Sequence, residues 1–309
     1  MVEIEGKRLS LSNLDKVLYP KVGFTKAQVI DYYARISPVL LPHIVDRPMT
    51  LKRYPNGVEA EHFYEKRCPP HKPEWVKTAP VWSGQRAGNI DFCLINDLPT
   101  LVWAANLADL EMHPYLHRWQ ALDRPTMMVF DLDPGPPADI VHCCEVGLAL
   151  RHLLEAAGLQ SFAKTSGSKG LQLYVPLNTQ VTYDETKGFS KMLAELLEKE
   201  RPDLVVSRML KALRPGKVLV DWSQNDEHKT TVGVYSLRAK ERPTVSAPVS
   251  WDEVERCLSK REASLLVYEQ DEVLKRVAKR GDPFAPVLTL KQKLPRLDSA
   301  PLRRARAGR

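Results

Sequence analysis

The stretch MMVFDLDPGPPAD, residues 127–139, decides how this chain is read. Four apolar residues run straight into two carboxylates separated by one leucine, and Pro-Gly-Pro-Pro then stops the segment. In a strand, residues i and i+2 share a face, so Asp131 and Asp133 point the same way while Leu132 points into the core. Two carboxylates side by side repel each other unless something positive stands between them. On its own the pattern fits two readings: acids closing a strand before a Pro-Gly turn, or acids that hold a metal ion.

Further along, KVLVDWSQN (217–225) repeats the design, with an apolar run, Val218 to Val220, ending in Asp221. Three carboxylates on the ends of two strands are a common way to hold two divalent cations, and hard oxygen ligands suit Mg²⁺ or Mn²⁺. Such a pair of ions can activate a hydroxyl and stabilise a leaving pyrophosphate. Between two strand-like runs lies TSGSKG (165–170), with two serines and Lys169. Its N–H groups could cradle phosphate oxygens, or it could be a plain turn. It is not a Walker A loop, because the Gly-x-x-x-x-Gly-Lys order is missing. Lys52, His113, Arg214 and Arg238 are further candidates for an anionic substrate, and each could equally be an ordinary surface charge or a satisfied histidine.

Around these motifs the chain alternates apolar runs and breakers. Helical spacing predicts a helix over about 25–37, opened by Thr25 and ended before Pro38, and a strand over Met49 to Tyr54. NIDFCLIND (89–97) reads as a strand and LPTLVWAANLADLEMH (98–113) as one buried helix. TMMVFDLD is a third strand, followed by a periodic helix closed by Gly158. Two strands flank TSGSKG, and residues 183–202 form an amphipathic helix. KVLVDWSQN gives a strand and TVGVYSLRAK (231–240) a further one. Helical segments follow at Trp251 to Leu258 and Glu272 to Lys279, and from Gly281 on the chain reads as extended. There is no internal repeat. This mixture without strict alternation argues for an α+β protein with helices packed on a sheet.

Composition narrows the classes. In 309 residues, 43% are hydrophobic, enough for a sizeable core. No apolar run approaches the ~18 residues of a membrane span and the N-terminus has no apolar signal region, so a soluble cytoplasmic protein without a membrane partner is expected. The net charge of +7 invites a nucleic-acid partner. Residues 287–309, however, hold seven Lys or Arg against Asp298, which is +6 and leaves +1 for residues 1–286. The five cysteines, Cys68, Cys93, Cys143, Cys144 and Cys257, show no Cys-x-x-Cys pair and read as reduced thiols with neither disulfide nor zinc. The groups HFYEKRCPPH (62–71) and HCC (142–144) fit no zinc spacing.

Six blocks in order resemble the polymerase domain of bacterial ligase D, the end-joining branch of the archaeo-eukaryotic primase superfamily. They are LSNLDKVLYPKVGFTKAQVIDYY (11–33), RPMTLKRYPNGV (47–58), FYEKRCPPHKPEWV (63–76), VFDLDPGP (129–136), TSGSKGLQLYVPL (165–177) and VLVDWSQN (218–225). The resemblance covers roughly residues 7 to 295. It implies a primase-polymerase fold: a mixed or antiparallel catalytic sheet flanked by helices, with an N-terminal α/β part. One catalytic domain would span 1–286, with 287–309 a basic, flexible tail.

By position, the resemblance makes Asp131, Asp133 and Asp221 the metal-binding catalytic acids for two Mn²⁺ or Mg²⁺ ions, with no organic cofactor. His113, Ser166, Lys169 and Arg238 would hold the incoming triphosphate, with Lys52, Arg214 and Gln224 lining the nucleotide pocket. Asn13, Lys16 and Lys26 would grip a 5′-phosphate on the downstream strand, and Phe63 and Tyr64 would stack near the template. The implied activity is template-directed addition of NTP or dNTP, favouring ribonucleotides, at gaps or breaks in DNA during non-homologous end joining. Ku and a DNA ligase would be partners at the nucleoid. A primase that starts chains de novo, or a DNA-end-binding module that catalyses little, are the alternatives. One position departs: Gln172 stands where the family usually has His, and Gln cannot become a cation near neutral pH.

Overall fold

The structure, a computed structural model, describes residues 1–84 and 87–295. In chain order its elements are β1 (Val2–Ile4), β2 (Lys7–Leu9), β3 (Val17–Tyr19), β4 (Phe24–Thr25), α1 (Lys26–Ile44), β5 (Pro48–Arg53), β6 (Phe63–Glu65), β7 (Thr78–Ser83), β8 (Gly88–Leu94), α2 (Leu98–Asn106) and β9 (Asp109–Pro114). Then come β10 (Met127–Pro134), α3 (Ile140–Ala156), β11 (Phe162–Thr165), β12 (Leu171–Pro176), α4 (Tyr183–Glu200), β13 (Val205–Val206), β14 (Val218–Asp221), β15 (Pro248–Val249), α5 (Trp251–Lys260), α6 (Gln270–Arg280) and α7 (Pro286–Thr289). The chain divides into two compact units. Unit 1 comprises Met1–Leu122, Thr230–Ala247 and Tyr268–Asp282; unit 2 comprises Asp123–Lys229, Pro248–Val267 and the chain from Pro283 on.

Unit 1 is built on a sheet in which β5 is central, paired antiparallel with β9 on one side and with β6 and β8 on the other, with β7 beyond β8. Helix α1 starts with a capping box, Thr25 and Gln28 satisfying each other's backbone N–H groups. It buries Val29, Tyr32, Tyr33, Ile36, Leu40 and Ile44, a stripe at helical spacing. That stripe explains why the helix does not stop before Pro38 but runs through both Pro38 and Pro42. Side chains worth about 1.5–3 kcal/mol each on burial continue past the prolines and outweigh the lost hydrogen bonds.

Unit 2 is a six-stranded mixed sheet in the order β13-β14-β10-β12-β11-β15, with only β13 and β14 parallel. Leu132, Leu171 and Leu173 lie on one face, where each comes within 3.6 Å of a Cβ placed on Gly147 of α3. The helix can approach this closely because that position is glycine.

Four further expectations need correction. The buried helix expected over 98–113 ends at Asn106; Ala108 takes a left-handed φ of 59°, and residues 109–114 form strand β9. Asp109, Glu111 and His113 alternate there with Leu110 and Met112, a period of two that the helix-like run before it obscured. TVGVYSLRAK forms no strand and makes one isolated bridge, Leu237 to Val245. Cys68 and Cys93 are not reduced thiols but a disulfide, because Cys68 N–H donates to Asp91 O at 2.7 Å and lays the segment after β6 along β8. Cys143, Cys144 and Cys257 are free and buried. Finally, the chain after Gly281 is not simply extended: α7 buries Val287, and Gln292 bonds to Gln160 and Pro176. The rest of the expected tail, 296–309, lies outside the described residues.

Candidate active site

Of the expected site residues, Asp131, Asp133, Ser166, Lys169, Arg214, Asp221 and Gln224 lie in unit 2. Asn13, Lys16, Lys26, Lys52, Phe63, Tyr64, His113 and Arg238 lie in unit 1.

In unit 2 the acids are set by strand register. Strand β10 is antiparallel to both neighbours, which places Asp131 opposite Asp221 on β14 and opposite Gln172 on β12, while Gln172 is opposite Lys164 on β11. Directly paired residues share a face, so Lys164, Gln172, Asp131 and Asp221 form one row across four strands, with Asp133 two residues on from Asp131. The Asp131 carboxyl is pushed up to about 7, first by burial and then by the charge of Asp133, with Asp221 adding to it; the Gln172 hydrogen bond and the Lys164 charge act the other way. Lys164 is fully buried, and its ammonium donates to Gln172 Oε1 and lies 5.3 Å from the Tyr174 ring centre. The unexpected glutamine thus joins a buried cation to the central acid.

Repulsion of this kind is relieved by a proton or by a cation, and three carboxylates are a donor set that fits a hard divalent ion. The acids are not already closed around one point. Among the described residues, no three His, Cys, Asp or Glu side chains are grouped so as to hold a metal ion. Asp221 is instead turned to its own chain, accepting from Ser223 N–H at 2.9 Å, Ser223 Oγ at 2.6 Å and Gln224 Nε2 at 3.0 Å. Gln224 therefore orients an acid here.

The TSGSKG loop is built around Ser166, whose Oγ accepts from Ser168 N–H at 3.2 Å and Gly170 N–H at 3.0 Å. Gly170 is required, since a Cβ there would stand 2.2 Å from Leu132 O. Lys169 Nζ reaches Pro134 O at 3.1 Å, at the end of the strand that bears Asp131 and Asp133. Arg214 comes to the same end through the bridge between Pro215 and Gly135; its Nη2 donates to Met209 O at 2.6 Å, and its buried Nε has no hydrogen-bond partner.

In unit 1 the register of β6, β5 and β9 makes a second row, Tyr64, Lys52 and Glu111. Glu111 was not among the expected residues, yet it is the hub. Its side chain is 2% exposed and lies 3.4 Å from Lys52 Nζ, 3.1 Å from His113 Nε2 and 3.4 Å from Arg238 Nε. Burial alone would raise its carboxyl, but the His113 hydrogen bond and the charges of Arg238, His113 and Lys52 hold it well below the usual carboxylate range. Burial lowers His113, outweighing the pull of Glu111. Whatever the charge of His113, Lys52 and Arg238 against Glu111 leave this patch net positive, suited to an anion.

Tyr64 belongs to the same patch, with Lys52 Nζ 5.3 Å from its ring centre and His113 edge-on at 6.1 Å. Phe63, the preceding residue of the strand, faces the other way and carries the Arg53 guanidinium at 5.1 Å. The two rings are exposed by 44% and 57% but do not share a face. Near the N-terminus, Lys26 N–H donates to Lys16 O at 2.8 Å, bringing the two lysines together at the start of α1. Lys26 is 5% exposed, with Nζ on Ser12 O at 2.7 Å, and its ammonium is held below the usual lysine range by burial and then by the charges of Lys16 and Arg53. Asn13 holds the turn before them at φ 52°, and its carbonyl accepts from Lys16 N–H.

The profile of the family described as LigD, primase-polymerase domain, matches residues 25–284. The multifunctional non-homologous end joining protein LigD of Mycolicibacterium smegmatis is 41% identical over 283 residues, covering 91% of this chain and 36% of that protein. The bifunctional LigD of Bacillus subtilis is 34% identical over 278 residues, 90% of this chain and 44% of its own length. The chain thus spans less than half the length of these relatives. The solved polymerase domain of Mycobacterium tuberculosis ligase D, in complex with DNA, superposes with a TM-score of 0.84 at 41% identity, over 92% of this chain and 99% of that one. This chain belongs to the LigD primase-polymerase domain family.

Proposed function

We propose that the chain is a template-directed nucleotidyltransferase that fills gaps and extends ends at DNA breaks, favouring ribonucleotides, within non-homologous end joining. The observation that carries this reading is the register that sets Asp131 against Asp221, with Asp133 on the same face. Its weight comes from family membership and from a solved relative that holds DNA. Asp131, Asp133 and Asp221 would hold two Mn²⁺ or Mg²⁺ ions, which when bound supply positive charge to activate a primer 3′-hydroxyl and stabilise the departing pyrophosphate. The protein's own part is placement. Gln172 and Gln224 orient acids by hydrogen bonds. Lys52, His113 and Arg238, gathered on Glu111, would offer donors to the triphosphate, as would Ser166, Lys169 and Arg214. Lys16 and Lys26 would receive a downstream 5′-phosphate, and Tyr64 would stack on a base. Ku and a DNA ligase are the partners this reading implies.

One observation favours a second reading, a DNA-end-binding module: the acids are not closed around a point, and Asp221 is held by Ser223 and Gln224. Primer extension on a gapped duplex with Mn²⁺, comparing ribo- and deoxynucleotides and gaps with and without a 5′-phosphate, separates the two. Template-dependent addition that Asp221→Ala abolishes while DNA binding persists supports the polymerase. Binding of the phosphorylated gap with no addition under either metal supports the module.

A further inference from the structure

Arg238 sits in a stretch that belongs to no strand, and side chains from distant elements of unit 1 hold its backbone. Tyr32 Oη donates to Tyr235 O at 2.8 Å, Tyr33 Oη accepts from Leu237 N–H at 3.0 Å, and Tyr19 Oη donates to Arg238 O at 3.1 Å. On the next peptide, Ala239 N–H donates to Glu111 Oε1 at 3.0 Å. The backbone that carries the guanidinium is therefore held on either side by other elements, and Glu111 meets both the Ala239 N–H and the guanidinium.

Tyr19 links this stretch to another site. It is fully buried, packs edge-on against Phe24 with ring centres 5.6 Å apart, and ends β3 of the β3–β4 hairpin. Lys16 lies immediately before that hairpin and Lys26 immediately after it, tied by Lys26 N–H to Lys16 O. The hairpin turn makes a second tie to the same stretch, an ion pair between Lys21 and Glu241. The residues expected to grip a 5′-phosphate and an arginine expected to hold the triphosphate are thus two ends of one short linkage.

We propose that Tyr19 is a positioning residue that couples occupancy of the 5′-phosphate site to the placement of Arg238, so that a downstream phosphate tightens binding of the incoming nucleotide. The inference rests on the reading of Lys16, Lys26 and Arg238 given above. An anion drawing Lys16 and Lys26 together acts on both ends of the hairpin, and a buried ring with one fixed hydrogen bond transmits that displacement to the Arg238 carbonyl. Linkage makes the effect reciprocal: bound nucleotide must tighten the grip on the phosphate by the same factor.

The test measures nucleotide KM and kcat on gaps ending in 5′-phosphate or 5′-hydroxyl, for the full chain, Tyr19→Phe and Lys21→Ala, together with fluorescence anisotropy for both DNAs without nucleotide. In the wild type the phosphate is expected to lower nucleotide KM about fivefold or more with little change in kcat. Tyr19→Phe should keep the preference for phosphorylated DNA but lose the benefit of the phosphate to nucleotide KM, so that its KM ratio falls close to one whatever its constants on the 5′-hydroxyl gap. Lys21→Ala, an exposed change that spares the core, should lower the ratio in part. If Tyr19→Phe keeps the wild-type ratio, or loses kcat and KM equally on both gaps, the coupling is overturned and the site reading stands. A wild type that prefers phosphorylated DNA but shows no KM difference overturns it in the same way. If the wild type does not prefer phosphorylated DNA at all, the 5′-phosphate site itself fails, and the coupling with it.

Discussion

Asp131 is where the chemistry of one residue is most exposed to test. With its carboxyl pushed up to about 7 by burial, Asp133 and Asp221, the folded protein keeps a proton that the unfolded chain releases near pH 3.9. That contribution to stability is fully present below about pH 3.9 and is lost as pH rises through about 7, beyond which three charged acids repel. Asp131→Asn removes one of them. Metal-free Asp131→Asn should therefore be more stable than the wild type above pH 7, by on the order of 1–3 kcal/mol, and extend no primer. Adding Mn²⁺ should raise the melting temperature of the wild type and leave that of Asp131→Asn nearly unchanged. Melting curves at pH 5 and pH 8, with and without the ion, check both; a variant that melts below the wild type at pH 8 without metal would sink the account. The neighbouring Gln172→Leu should behave differently, because it removes no charge but strips partners from Lys164 and Asp131. Unpairing such buried groups costs about 1–3 kcal/mol. Thermal melts should show Gln172→Leu destabilised at every pH, which an ordinary surface glutamine would not be.

At the level of elements, what could be read in advance depended on periodicity. Strand β10, an apolar run that closes in alternating acids, and helices α3 and α4, with helical patterns, were legible, as was the turn around Gly170. Strand β9 was not, since an apolar helix runs into it without a breaker and only Ala108, at positive φ, marks the change. The hub Glu111 was missed for the same reason: placed on a helix, it has no cross-strand partner, whereas on β9 it faces Lys52. Lys164 and the Cys68–Cys93 bond depend on which strands become neighbours, and no local pattern states that. The disulfide closes a loop of separation 25, which by chain entropy contributes about 3.5 kcal/mol. Replacing both cysteines by serine should lower the melting temperature by several degrees, and a reductant should do the same to the wild type while leaving the double variant unmoved. Equal sensitivity of the two proteins to reductant would assign the effect elsewhere. Gly170→Ala gives a sharper local test. Its Cβ would meet Leu132 O at 2.2 Å, so the loop must shift away from β10. Nucleotide KM should rise severalfold if Ser166 and Lys169 hold the triphosphate, and steady-state extension kinetics read this directly.

For the whole molecule the question is where the DNA affinity of the proposed polymerase would come from. Of the net charge of +7, residues 287–309 hold +6, so the body of the protein carries almost no excess charge. A body at +1 has little overall attraction for DNA, and on the proposed reading it would recognise phosphates through local cations such as Lys16 and Lys26. The tail can do the opposite, adding affinity that ignores the structure of the DNA end. The five arginines Arg296, Arg303, Arg304, Arg306 and Arg309 should each add up to about 0.7–0.9 to the slope of log affinity against log salt for every phosphate they neutralise. Ending the chain after Pro295 should therefore flatten the salt dependence by several such steps and weaken binding at low salt, while the ratio of affinities for 5′-phosphate and 5′-hydroxyl ends stays as it was. Lys16→Ala with Lys26→Ala should collapse that ratio and change the slope by only about two steps. Anisotropy titrations across a salt series on both DNAs measure slope and ratio together. If truncation removes end discrimination, or the lysine pair leaves it intact, affinity and recognition are not divided between tail and body in this way, and the basic segment must take part in reading the break.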